Sequence, residues 1–163
     1  TVALKFKIIF AKINNFFNFA VKKITDYAIE NNIGSIVIGD FKDIKQKINI
    51  GKRNNQNFVS IPFYKFKSKL QSRCEQLGID YHLQEESYTS KCSFLDNESI
   101  QKHDKYVGKR VKRGLFRTKK GILINADLNG SANILQKFLT SKGQRIANPY
   151  GCVKHPPRLR LVS

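Results

Sequence analysis

Two places in the chain put carboxylates where a strand is expected to end. Glu85 and Glu86 follow "IDYHLQ", and Asp127 follows "ILINA". Carboxylates from the ends of different strands can converge at one edge of a sheet. A small set of them there holds Mg²⁺ through hard oxygen ligands and leaves water in its shell. A metal so held activates water and stabilises the leaving oxygen in phosphodiester cleavage. Plainer roles are also open. Asp127 can serve as a helix N-cap or as a first-turn acid facing the helix dipole. Glu85 and Glu86 can be solvated strand-end charges. Spacing alone does not choose between these roles.

The chain around these acids is strongly basic: 30 Lys and Arg against 12 Asp and Glu give a net charge of +18. Such a field suits a polyanion, because neutralising phosphates releases condensed counterions. A lysine-rich, AT-biased genome is the bland alternative, but the charge is also concentrated. From Lys102 to Lys120 there are nine Lys or Arg and one acid, Asp104. Within that stretch "GKRVKRGLFRTKKG" reads as a basic hairpin punctuated by Gly114 and Gly121. Lys109, Arg110, Lys112, Arg113, Arg117, Lys119 and Lys120 are its candidate nucleic-acid contacts. Lys52 and Arg53 join them from an asparagine-rich basic arm.

Other classes find little support. Cys74, Cys92 and Cys152 lie far apart with no CxxC, and His82, His103 and His155 do not cluster with them. Neither a disulfide framework nor a four-ligand zinc site is expected. Reduced thiols suit a cytoplasmic protein, nucleoid-associated in a prokaryote. The first twenty residues scatter charges and asparagines through their apolar positions, unlike a signal peptide. No apolar run approaches the roughly 20 residues of a membrane span, so no membrane partner is expected.

These residues need elements to position them. Ile9, Ile13, Phe16, Phe17, Ala20, Ile24 and Tyr27 fall at helical spacing over residues 5–31, and "NNIG" is a plausible stop. "SIVIG" reads as a short buried strand. Pro62 can open the next helix, with Phe63, Phe66, Leu70, Cys74 and Leu77 as its stripe and Gly78 as its C-cap. Ile79, Tyr81 and Leu83 alternate with polar residues, as in a half-buried strand. Residues 90–120 contain no convincing helix, and "GILINADLNGSANILQKFL" reads as a strand passing into one. The order helix, strand, helix, strand, basic excursion, strand, helix predicts an α/β fold.

The stretches "EESYTSKCSFLDNE" and "GKRVKRGLFRTKKGILINADLNGSANIL" resemble the C-terminal half of the TnpB proteins. These are the OrfB transposases of insertion sequences, related to the type V CRISPR effector nucleases. "IVIG", "KQKINIGKRNNQNFVSIPF" and "HPPRLRL" are similar to the same family. The resemblance implies a partial RuvC-like domain with the RNase H fold and an inserted basic loop and hairpin. It divides the chain into a core segment over 1–89, a target-nucleic-acid-binding insertion over 90–120, a last strand and helix over 121–139, and an irregular tail over 140–163. It also implies Mg²⁺ held by three carboxylates, and DNA and guide RNA as partners. Base pairing then reads sequence while the protein grips backbone.

Asp127, opening "DLNGSANI", matches the family's last catalytic acid. Gly39 stands where most members carry a glutamate after the strand. The relocated glutamate of some branches falls on Glu86, then Glu85, with Asp40 third. The four-cysteine zinc ribbon of most members is reduced here to Cys92, so a metal-free loop is expected. The first catalytic aspartate belongs on a strand that residues 1–30 do not resemble, their acids being Asp26 and Glu30 inside the helical pattern. The sequence thus predicts the C-terminal portion of a TnpB-type DNA endonuclease that binds nucleic acid without cutting it alone. A binding module or a decayed remnant is the alternative.

Overall fold

The computed structural model describes residues 2–40 and 62–154. The basic arm, with Lys52 and Arg53, and the "HPPRLRL" ending lie outside them. The described chain is α/β and divides into two compact units, one of residues 2–36 and 62–81, the other of residues 37–40 and 82–154.

The first unit is built on two helices. α1 (Val2–Glu30) and α2 (Phe63–Leu77) pack through Phe17, Ala20 and Val21 on one side and Leu70 and Cys74 on the other. The Phe17 and Phe66 rings lie 5.5 Å apart. Leu70 is wholly buried, which stabilises the pair by about 2 kcal/mol. Both helices stop where the sequence predicts, by the same device. Asn32 (φ 53°) and Gly78 (φ 67°) adopt the left-handed conformation, and the next amides, Ile33 and Ile79, reach back to the carbonyls of Ala28 and Cys74. Ile8, Ile9, Phe10 and Phe16 are about half exposed, so the first half of the α1 stripe is not covered by the described residues.

β1 (Ser35–Gly39) and β2 (Asp80–Gln84) are hydrogen-bonded neighbours. The Asp80 amide donates to Gly34 and the Asp40 amide to Gln84, so the strands run parallel. The alternation expected of β2 holds at Ile79 and fails at Leu83, which is 49% exposed.

In the second unit β3 (Lys109–Lys112), β4 (Leu115–Arg117) and β5 (Leu123–Asn125) form a separate antiparallel sheet in that order. α3 (Ala126–Ser141) follows without a break. The core gathers Phe94, Phe116, Ile124, Ala126, Ala132 and Val153. Val153 belongs to α4 (Pro149–Lys154), a short helix in a tail expected to be irregular. No helix among the described residues is long and apolar enough to cross a membrane.

Candidate nucleic-acid interface and acid cluster

The turn after β2 is seated on α3 by two asparagine amides. Asn129 and Asn133 sit one helical turn apart and are essentially fully buried. Asn129 Nδ2 donates to the Cys92 carbonyl (2.9 Å), and its Oδ1 accepts from the Phe94 amide (3.0 Å). Asn133 Nδ2 reaches the carbonyls of Thr89 and Cys92, both at 2.8 Å. These bonds satisfy backbone groups that burial would otherwise leave unpaired. The "YTSKC" and "DLNGSAN" motifs are therefore halves of one structure. Sequence reasoning missed this role; a pair of asparagines at i and i+4 on a helix face was the available signal.

On this seat the candidate acids part ways. A Cβ built on Gly39 would stand 2.6 Å from Glu86 Oε2 and 3.1 Å from Ile134 Cδ1 of α3. The Glu86 carboxylate thus occupies the space a side chain at position 39 would enter. Glu85 turns elsewhere: its Oε2 accepts from Lys137 Nζ at 2.5 Å and its Oε1 from the Ser87 amide. The Lys137 hydrogen bond, with the Ser87 contacts, pulls the Glu85 carboxyl down to about 2. Asp40, at the end of β1, is half-buried and bonded through its amide to Gln84.

Asp127 is not the helix cap. Asn125 caps α3, its Oδ1 accepting from the amides of Asp127 (2.8 Å) and Leu128 (3.1 Å). Asp127 is a first-turn acid, 85% exposed, with Arg110 Nη2 of β3 at 3.6 Å, a pair worth well under ~1 kcal/mol. The acid-bearing strands do not share one sheet edge among the described residues: β5 joins the β3–β4 hairpin, and β1 pairs with β2. Two turns of α3 separate Asp127 from Ile134, the residue that meets Gly39. Among the described residues no group of three His, Cys, Asp or Glu is placed to hold a metal ion.

The segment over 90–120 is fastened by carboxylates and a thiol. Glu98 accepts from the amides of Ser93 (2.7 Å) and Val107 (2.8 Å). Asp96 accepts from Ser93 Oγ (2.6 Å) and the Lys119 amide (2.7 Å). The buried Cys92 thiol donates to the Ser99 carbonyl at 3.4 Å, and burial pushes its pKa up. From this anchored base the hairpin projects its charges. All of β3 is exposed, as are Arg113, Arg117, Lys119 and Lys120, while Phe116 alone of β4 is fully buried. Lys109 stands directly across from Arg117, and the register slips between Arg110 and Lys112. Like charges opposed across a strand pair repel, and a bound polyanion relieves that repulsion.

No curated protein matches the chain in sequence. Residues 63–134 match the family model Cas12f1-like, TNB domain. The match opens at the first residue of α2 and closes inside α3, so it takes in Glu85, Glu86, the Asn129–Asn133 seat, the basic hairpin and Asp127, in keeping with the TnpB-type motifs.

Proposed function

We propose that this chain is the C-terminal portion of a TnpB-type protein and grips nucleic acid through the β3–β4 hairpin, binding without cutting on its own. The opposed Lys109 and Arg117 carry the reading, because like charges held across a strand pair repel and a phosphate backbone relieves that repulsion. The Cas12f1-like match over the same residues supports DNA and RNA as partners. Glu86 and Asp127 are two of the carboxylates this family's Mg²⁺ chemistry needs. Oxygen donors are the ligands that ion takes, and when bound it would supply an activated water and stabilise the leaving oxygen. Among the described residues no three such groups gather, and Asp127 lies two turns of α3 from the Ile134 that meets Gly39 beside Glu86, in keeping with binding without cutting.

The test is binding of labelled DNA and RNA over a series of salt concentrations, beside a nuclease assay with Mg²⁺. Lys112→Gln/Arg113→Gln is expected to weaken both ligands and lower the salt slope by about 1.4 to 1.8. Asp127→Ala is expected to leave affinity within about twofold, because its exposed ion pair contributes little. Unchanged binding by the hairpin variant overturns the interface. DNA cleavage that Asp127→Ala abolishes overturns the absence of cutting. The second reading, a module with no catalytic role even in a complete assembly, is favoured by the exposure of Asp127 and its pairing with Arg110.

A further inference from the structure

We propose that the groove between α1 and α2 is a second seat for nucleic-acid backbone phosphates. The proposal rests on the reading of the chain as a nucleic-acid binder but uses none of the hairpin residues. Beside the apolar seam of the two helices runs an open groove of about 430 Å³. Its charged lining is Lys22, Lys69 and Arg73, with no acid among the lining residues. The neutral polar lining, Asn18, Ser68, Ser72 and Gln76, can donate hydrogen bonds. Lys22 is already paired with Asp26 at 2.6 Å. Lys69 and Arg73 have no carboxylate partner among the described residues. Arg73 Nη1 instead donates to Gln76 Oε1 at 3.2 Å, which leaves its other N–H groups available.

The spacing of these donors argues for a chain of anions. Along α2 they run from Ser68 to Gln76, about 12 Å at 1.5 Å per residue. Along a duplex axis each strand advances about 3.4 Å per phosphate, and the path along the strand itself is longer, so the groove spans roughly two or three phosphates. An open surface that is basic and free of acids suits a strand passing along it, whereas an isolated small anion is better held in an enclosed pocket.

The experiment measures salt-dependent binding of a labelled oligonucleotide by the whole chain, with polyglutamate as a second, non-nucleic polyanion. Lys69→Gln/Arg73→Gln is expected to lower the slope of log K against log salt by about 1.4 to 1.8. Ser72→Asp, which places an acid in the groove, is expected to weaken binding severalfold. Lys12→Gln/Lys65→Gln, exposed positions outside the groove, sets the effect of removing charge alone. Groove variants that match this control overturn the proposal. If the hairpin variant still loses affinity in that case, the hairpin reading survives. Loss in the groove variants with an unchanged hairpin variant supports the groove and removes the hairpin. Equal losses for polyglutamate and oligonucleotide make the groove a site for acidic protein and overturn the assignment to nucleic acid. Thermal melts confirm that each variant is folded.

Discussion

The carboxylate of Glu86 lies over the bare Cα of Gly39, with Oε2 2.6 Å from where a Cβ would be. A glycine at the end of β1 and a glutamate beyond the end of β2 are thus one arrangement. The first has no side chain, and the second fills the space. Glu86, and not Glu85, is the acid whose carboxylate stands over position 39, since Glu85 is taken up by Lys137 and the Ser87 amide.

Gly39→Ala forces that carboxylate aside. The displaced atoms are the tips of flexible side chains, so the expected cost is about 1 kcal/mol. In a Glu86→Ala background the same change should cost less by about 0.5 kcal/mol or more, as interacting sites do. Urea unfolding of the wild type, both single variants and the double variant measures the coupling; strict additivity would contradict the contact.

Asn129→Ala and Asn133→Ala are each expected to lose about 1–3 kcal/mol, because one buried backbone group, the Phe94 amide or the Thr89 carbonyl, loses its partner. Both amides donate to the Cys92 carbonyl, so either one alone still satisfies it. The double variant should therefore cost more than the two single costs added. Denaturant midpoints give the comparison.

Glu98→Gln weakens two hydrogen bonds to the ionised carboxylate, at the Ser93 and Val107 amides. Hydrogen exchange at those two amides should quicken by about tenfold, in line with a loss of about 1.4 kcal/mol. Because carboxylates and a thiol fasten this loop, a metal chelator is expected to leave the thermal midpoint unchanged.

Glu85 gives the folded state a pH dependence in acid. Its carboxyl lies at about 2, below an ordinary 4.5. The stabilisation is therefore complete above pH 4.5 and disappears as the pH falls through about 2. The side chain is 60% exposed, so Glu85→Gln should cost no more than about 1 kcal/mol at neutral pH. The difference from wild type should vanish in strong acid, as stability curves against pH would show.

The helices and their stops were legible in the sequence because apolar spacing and cap residues act within a few positions. The Asn31–Gly34 and Gly78 stops were read correctly, though Asn32, not Gly34, takes the left-handed turn. Strand partnership was not legible. Nothing near Leu123–Asn125 says that it pairs with Leu115–Arg117 and not with β1 or β2. The role of Asn129 and Asn133 was hidden for the same reason: their partners are backbone groups 35 to 44 residues away. Only Asp127 stood out in the sequence as a cap of α3, and the fold shows that Asn125 does it.

The asparagine seat also defines what can be exchanged between relatives. Residues 89–94 and 129–133 hold each other, so a chimera must take both from one parent. The segment from Ser99 to Lys119 is tied to its base through Glu98, Asp96 and Cys92. A longer or a shorter segment could therefore be traded on this same seat, with the helix and the turn that form it left as they were.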